Sequence, residues 1–386
     1  MSDQIRVPCV VIRGGSSKGI YIKVNDLPRD PAMRDRMILA IFGSPDRRQI
    51  DGLAGAEPLT SKLAIVGPSS RPDADVDYTF GQVSTTDAIV DYGGNCGNIS
   101  SGVGPFAIDE SMVQAVEPVT RVRIYNTNTD KIIVADVQVK DGKARVTGDC
   151  VIAGVPGSSA PILLDFAGTA GAVTGKTLPT GKPVDVIETS RGQIEASIVD
   201  VANPCIFVHA RSVGMVGTEL PEDIDGNPEL LAYLEELRAR CAVIIGMAET
   251  MEEASGSRPA IPMLAFVAES QEYVSYNGKI IHKEDVDLVS RLMYMQILHK
   301  AYAGSCTACT GVAAKISGTI VNRVLSVTSD ANTIRIGHPS GVLPVMASVE
   351  NNVVTRASLF RTARRIMEGY AFIEKSRLEN SNTVAC

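Results

Sequence analysis

Tryptophan is absent from the 386 residues, aromatic residues make up only 5%, and histidine occurs four times. A chain so poor in flat rings offers no stacking platform for nucleic-acid bases. The four histidines, His209, His282, His299 and His338, have no paired spacing, which argues against a zinc or iron centre and predicts no metal site. Charge of one sign is never concentrated. The 37 Lys and Arg and 44 Asp and Glu give a net charge of −7, without a basic stripe, so no nucleic-acid partner is expected. No apolar run approaches the roughly 18 residues that span a bilayer. The apolar stretch from Val7 to Ile12 is too short for a signal sequence, and the expectation is a soluble, cytoplasmic protein with no membrane partner. Eight scattered cysteines are unlike the dense framework of a secreted disulfide scaffold and read as thiols.

What is present is a large apolar fraction, 45%, against 21% charged residues. That is enough for a full core in each of two domains at roughly 150 residues per domain. The chain also resembles itself. Val7–Ile12 matches Asn203–Val208, Asp30-Pro31 matches Asn227-Pro228, Lys62–Val66 matches Met263–Val267, Asn95–Gly97 matches Ala308–Thr310, and Val122–Ile124 matches Ile334–Ile336. Five matches in one order indicate duplication. Each Asx-Pro pair is an N-cap followed by Pro at the first helical position. The Gly/Pro/Thr-rich stretch from Gly168 to Pro183 is the expected boundary, giving domains 1–183 and 184–386. Helical spacing predicts an inserted amphipathic helix over Glu284–Ala303. It also predicts a last helix over 357–373 that crosses back to complete the first domain.

Two small-residue segments stand where apolar helices begin: Tyr92–Gly104, containing Asn95, Cys96, Gly97 and Asn98, and Gly304–Ala314, containing Cys309, Thr310 and Gly311. Helix starts have free N–H groups and a positive dipole end, so two of them facing across a cleft would hold two carboxylates, which suits a small dicarboxylate better than a nucleotide. The spacing fits neither a P-loop nor a dinucleotide fingerprint. A thiol at such a start, as Cys96 would be, is placed to move a proton to or from carbon. Lys62 interrupts an otherwise apolar strand whose duplicate carries Met263, and a desolvated lysine serves either as a base or as a carboxylate clamp. Ser16 and Ser17 lie in the turn Arg13–Gly19, and His338 and Ser340 in the turn Gly337–Gly341. Both turns are candidate ligand loops. The cations nameable near the cleft beyond Lys62 are Arg13 and Lys18.

Four segments carry a family resemblance: Arg13–Gly19, Asp51–Lys62, Asn95–Asn98 and Gly337–Gly341. Together they resemble the PrpF group of the diaminopimelate epimerase superfamily. The resemblance implies an α+β fold of two pseudo-symmetric domains, each a central helix wrapped by a curved, mostly antiparallel sheet, with the site between them. It also implies a cofactor-independent isomerase of small unsaturated di- or tricarboxylates. Interconversion of 3-methylitaconate and 2,3-dimethylmaleate is favoured, with 2-methylaconitate isomerisation and 4-oxalomesaconate tautomerisation as alternatives. Lys62 and Cys96 fall on catalytic positions of that group and Ser17 near its substrate. Asn95, Gly97, Asn98, Ser16, Cys309, Thr310, Gly311, His338 and Ser340 complete the candidate binding set. The epimerases use two cysteines as paired bases, and Cys309 stands in the second half's segment. A non-catalytic carboxylate-binding protein is the rival from another class, and self-association into a homo-oligomer stays open.

Overall fold

A computed structural model describes residues 3–325 and 332–379; Cys386, counted above among the thiols, lies outside them. Leaving aside two-residue strands, the first half comprises β1 (Gln4–Gly14), β2 (Ser17–Lys23), α1 (Pro31–Phe42), β3 (Lys62–Pro68), β4 (Val76–Val83), α2 (Gly97–Asp109), β5 (Val119–Asn126), β6 (Lys131–Lys140) and β7 (Ile162–Asp165). β8 (Asp185–Thr189) then leads into the second half, with β9 (Gly192–Val201), β10 (Asn203–His209), α3 (Pro228–Ile244), β11 (Met263–Glu269), β12 (Leu288–Tyr294), α4 (Gly304–Lys315), β13 (Thr333–His338), β14 (Gly341–Glu350) and β15 (Val353–Arg361). β16 (Ala363–Glu374) follows.

The pairings repeat in order. β1–β2, β3–β4, β5–β6 and β6–β7 are antiparallel, whereas β2–β3 and β4–β5 are parallel. The second half has the same ladder from β9 to β15. Each half ends by sending a strand to the start of the other: β16 lies antiparallel to β1, and β8 antiparallel to β9. β7 pairs with β15 across the junction.

Inside each curved sheet runs one helix. Every residue of α2 except Pro105 and Asp109 is buried, as is every residue of α4 except Lys315. A helix apolar or small on all sides must be enclosed, and its glycines set how closely. A Cβ on Gly104 would lie 2.8 Å from Val137 Cγ2, and one on Gly311 would lie 2.8 Å from Val345 Cγ2. α1 and α3 cover the outer faces through Ile38 and Phe42, and through Leu234 and Leu237. Both start on the predicted Asx caps: Asp30 accepts from Met33 N–H at 2.8 Å and Asn227 from Leu230 N–H at 3.1 Å.

Two helix expectations fail. Within Glu284–Ala303 the chain forms β12, all seven residues of which are buried. A strand covered on both faces loses the alternation that marks a strand, and its apolar run then matches helical spacing. The extra length of the second half is instead a small hairpin, Tyr273–Val274 with Ile280–Ile281. Residues 357–373 form β15 and β16, so the chain does cross back to the first half, as a strand along β1.

Two repeat alignments also shift. Lys62 pairs with Gly19 and Met263 with Cys205, so β10 corresponds to β2, at an offset of 186 (205 − 19), and the Val7–Ile12 match is one strand out. The helix starts meet at Gly97 and Gly304, an offset of 207 (304 − 97), so Cys96 corresponds to Ala303 and not to Cys309.

Candidate active site

α2 and α4 approach each other through their first residues. A Cβ on Gly97 would lie 2.7 Å from Ser305 N, and one on Gly304 would lie 3.0 Å from Gly97 C, so only glycine permits this contact. Asn203 ties the two starts together. Its Nδ2 donates to Asn95 O at 2.6 Å and to Ser305 Oγ at 3.1 Å, while its Oδ1 accepts from Asn95 N–H at 2.8 Å. The equivalent contact in the first half runs from Asn98 Nδ2 to Ser17 Oγ, 3.4 Å, and on to Ser16 Oγ, 3.1 Å. The helix ends therefore touch directly, where the sequence predicted a cleft between them.

Cys96 is the N-cap of α2, 6% exposed, and no side chain caps that helix start. Asn95 Oδ1 accepts from Cys96 N–H at 2.7 Å and from Ser100 Oγ at 3.1 Å, which fixes its amide and leaves Nδ2 buried without a partner. Lys62, at the start of β3, is 2% exposed. Its Nζ donates to Gln82 Oε1 at 2.7 Å and sits 4.8 Å from the centre of the Tyr294 ring, a cation–π contact. Burial pulls the amine below its ordinary pKa, and the Cys96 side chain acts in the opposite direction. Gln82 is held in turn. Its Nε2 donates to the carbonyls of Pro58 and Ser61, and its Oε1 also accepts from Tyr294 OH at 2.9 Å.

A second cation reaches the site from β15. Arg361, 2% exposed, donates from Nε to Asn98 Oδ1 at 3.0 Å and from Nη2 to Thr307 Oγ1 at 3.4 Å. Burial lowers its pKa to about 10, with Cys96 and Cys150 offsetting part of that. Arg361, Ser16, Tyr302 and His338 line one small pocket. His338 is 1% exposed and held well below its ordinary pKa by burial and by Arg291. Ser340 N–H donates to His338 Nδ1 at 3.3 Å, while Ser340 Oγ bonds Lys300 O at the rim.

Cys309, Thr310 and Gly311 are not at a helix start. They lie inside α4, where Cys309 Sγ donates to Val199 O at 3.1 Å, Thr310 Oγ1 donates to Cys306 O at 2.7 Å and Gly311 packs on Val345. Arg13 is also spoken for, bracing its own loop through Gly15 O and Thr362 O. Sequence reasoning missed Gln82, Asn203, Tyr294 and Arg361. Arg361 shares inward parity with Leu359 and Ala357 on β15, a signal hidden once that segment was read as helix. Among the described residues no cluster of three metal-ligating side chains occurs, and no helix is long and apolar enough to cross a membrane.

The family model for PrpF protein matches residues 4–374. The chain belongs to the PrpF family. Its PrpF relatives include 3-methylitaconate isomerase of Eubacterium barkeri, 66% identical over 379 residues, covering 98% of this chain and 100% of that protein. The 2-methyl-aconitate isomerase of Shewanella oneidensis is 39% identical over 391 residues, covering 96% and 98%. The crystal structure of methylitaconate-delta-isomerase superposes on this PrpF chain with a TM-score of 0.81 at 65% identity, covering 100% of both.

Proposed function

We propose that this PrpF chain interconverts 3-methylitaconate and 2,3-dimethylmaleate by a 1,3-proton shift, with Cys96 and Lys62 as the acid/base pair. The observation that carries the reading is the juxtaposition of a buried amine, fixed by Gln82 and Tyr294, with a thiol at the start of α2. One group of the pair removes the proton α to a carboxylate. The electrons move into a dienolate, and a proton returns to the far end of the allylic system, converting a methylene into a methyl group. Acid/base placement of this kind contributes on the order of 10²–10⁴-fold. Amides aimed at the enolate oxygens contribute on the order of 3 kcal/mol each, and the uncapped first turn of α2 supplies such amides. Ser16, Ser17, Asn95, Gly97 and Asn98 surround that turn and orient the acid.

Identity of 66% to a 3-methylitaconate isomerase, against 39% to a 2-methyl-aconitate isomerase, supports the dicarboxylate. So does the count of two buried cations, Lys62 and Arg361, beside Cys96, because a third carboxylate would need a further partner. Proton NMR of 3-methylitaconate incubated with the protein in D₂O tests the reading. The expected spectrum shows 2,3-dimethylmaleate with solvent deuterium in the new methyl group. Binding without exchange would leave a carboxylate-binding protein, and a higher kcat/KM on 2-methylaconitate would move the substrate assignment.

A further inference from the structure

We propose that Arg361 and His338 together form the receptor for one substrate carboxylate, on the Asn98 side of Cys96 and apart from Lys62; this rests on reading the site as one for an unsaturated dicarboxylate. Arg361 is a buried guanidinium whose hydrogen bonds all go to neutral oxygens: Asn98 Oδ1, Phe360 O and Thr307 Oγ1. Among the described residues no carboxylate pairs with it. A cation taken out of water without a counter-anion is costly, and the forked N–H groups of arginine match a carboxylate in both charge and shape.

The second component is a donor with nothing to donate to. Ser340 N–H donates to His338 Nδ1, so Nδ1 is the unprotonated acceptor of a neutral imidazole and the ring proton sits on Nε2. That Nε2–H is buried and unpartnered, in a ring that lines the same small pocket as Arg361, Ser16 and Tyr302. Buried donors are normally satisfied, and an orphan beside an unpaired cation marks the place of an absent acceptor. Asn98 links this receptor to the chemistry: its Oδ1 holds Arg361 Nε, its Nδ2 holds Ser16, and it lies two residues after Cys96. A carboxylate gripped by Arg361 and His338 is thereby indexed to the first turn of α2. The second half of the chain, which carries no counterpart of Cys96 or Lys62, supplies both gripping residues.

The test is calorimetric binding of 2-methylsuccinate and its two monoamides to the full chain. The wild type is expected to bind the diacid at least about tenfold more tightly than one of the monoamides. In Arg361→Met that preference should vanish, with both ligands bound equally weakly, and His338→Phe should reduce it several-fold. For 3-methylitaconate, KM should rise in both variants more than kcat falls. Should Arg361→Met fail to fold, Arg361→Lys gives the same readout, since a single ammonium cannot fork and the preference should drop at least threefold. Wild-type discrimination persisting in Arg361→Met or Arg361→Lys overturns the receptor. A wild type that does not bind the diacid at all overturns the dicarboxylate reading beneath it.

Discussion

The starts of α2 and α4 are one piece of architecture with two sets of side chains. Each begins at a glycine pressed against the other helix, and neither is capped by a side chain. Each half also carries the same clamp: Arg123 bonds Asp75 through its backbone N–H and guanidinium, and Arg335 bonds Asp287 the same way. The N-cap is Cys96 in one half and Ala303 in the other, and the strand residue beside it is Lys62 in one and Met263 in the other. What both halves keep is what the backbone needs, since a glycine contact or a strand ladder fails in either copy alone. Reactive side chains carry no such constraint. One half holds Cys96 and Lys62, the pair proposed for proton transfer, while the other contributes Tyr294, Arg361 and His338 around it.

The largest way to break this comparison is Cys96→Ser, which should lower kcat by about 10³-fold or more while the melting temperature moves by only a few degrees. A rate near that of the wild type would remove Cys96 from the chemistry. Adding Ala303→Cys to that variant should restore nothing, because Met263 stands where the amine would have to be. Lys62→Met, which copies the second half into the first, should cost about 10²-fold in kcat. It should leave the melting temperature unchanged or higher, since a desolvated cation is replaced by an apolar chain. Gly97→Ala forces apart helix starts that are 2.7 Å from an added Cβ. It should lower stability by about 1–3 kcal/mol in chemical denaturation, and Gly304→Ala, with 3.0 Å to its nearest atom, should cost less. The smallest effect is expected from Cys309→Ala. With its thiol facing Val199 O inside α4, it should lose about 1 kcal/mol of stability and keep steady-state turnover within about twofold.

The placement of Lys62 and Cys96 was legible because the signals were local. Asx-Pro marks a helix start wherever it occurs, and a lysine breaking an apolar strand is visible without knowing what it meets. Cys96 stood out by its glycine and asparagine neighbours, and its placement at the N-cap of α2 follows from them. The misreadings share one cause. β12 is covered on both faces and buried along all seven residues, so it carries no period of two, and on β15 the buried Ser358 interrupts the alternation that Ala357, Leu359 and Arg361 otherwise follow. The repeat matches at Val7 and Cys309 failed similarly, because short apolar or Cys-containing strings match easily and only hydrogen-bond register separates β1 from β2 as the partner of β10.

The sequence by itself determined the duplication, the helix caps, and Lys62 and Cys96 as the residues out of place in an apolar setting, since repeats, caps and pattern breaks are properties of adjacent residues, and its family resemblance implied the α+β fold. Tertiary structure alone decided which residues stand opposite one another: Ala303 as the counterpart of Cys96, Gln82 and Tyr294 as the holders of Lys62 from opposite halves, and Arg361 beside Asn98 across 263 positions. Such pairings depend on which strands share a ladder and how closely two helices approach. Those distances are set by packing among elements that the chain brings together only when folded.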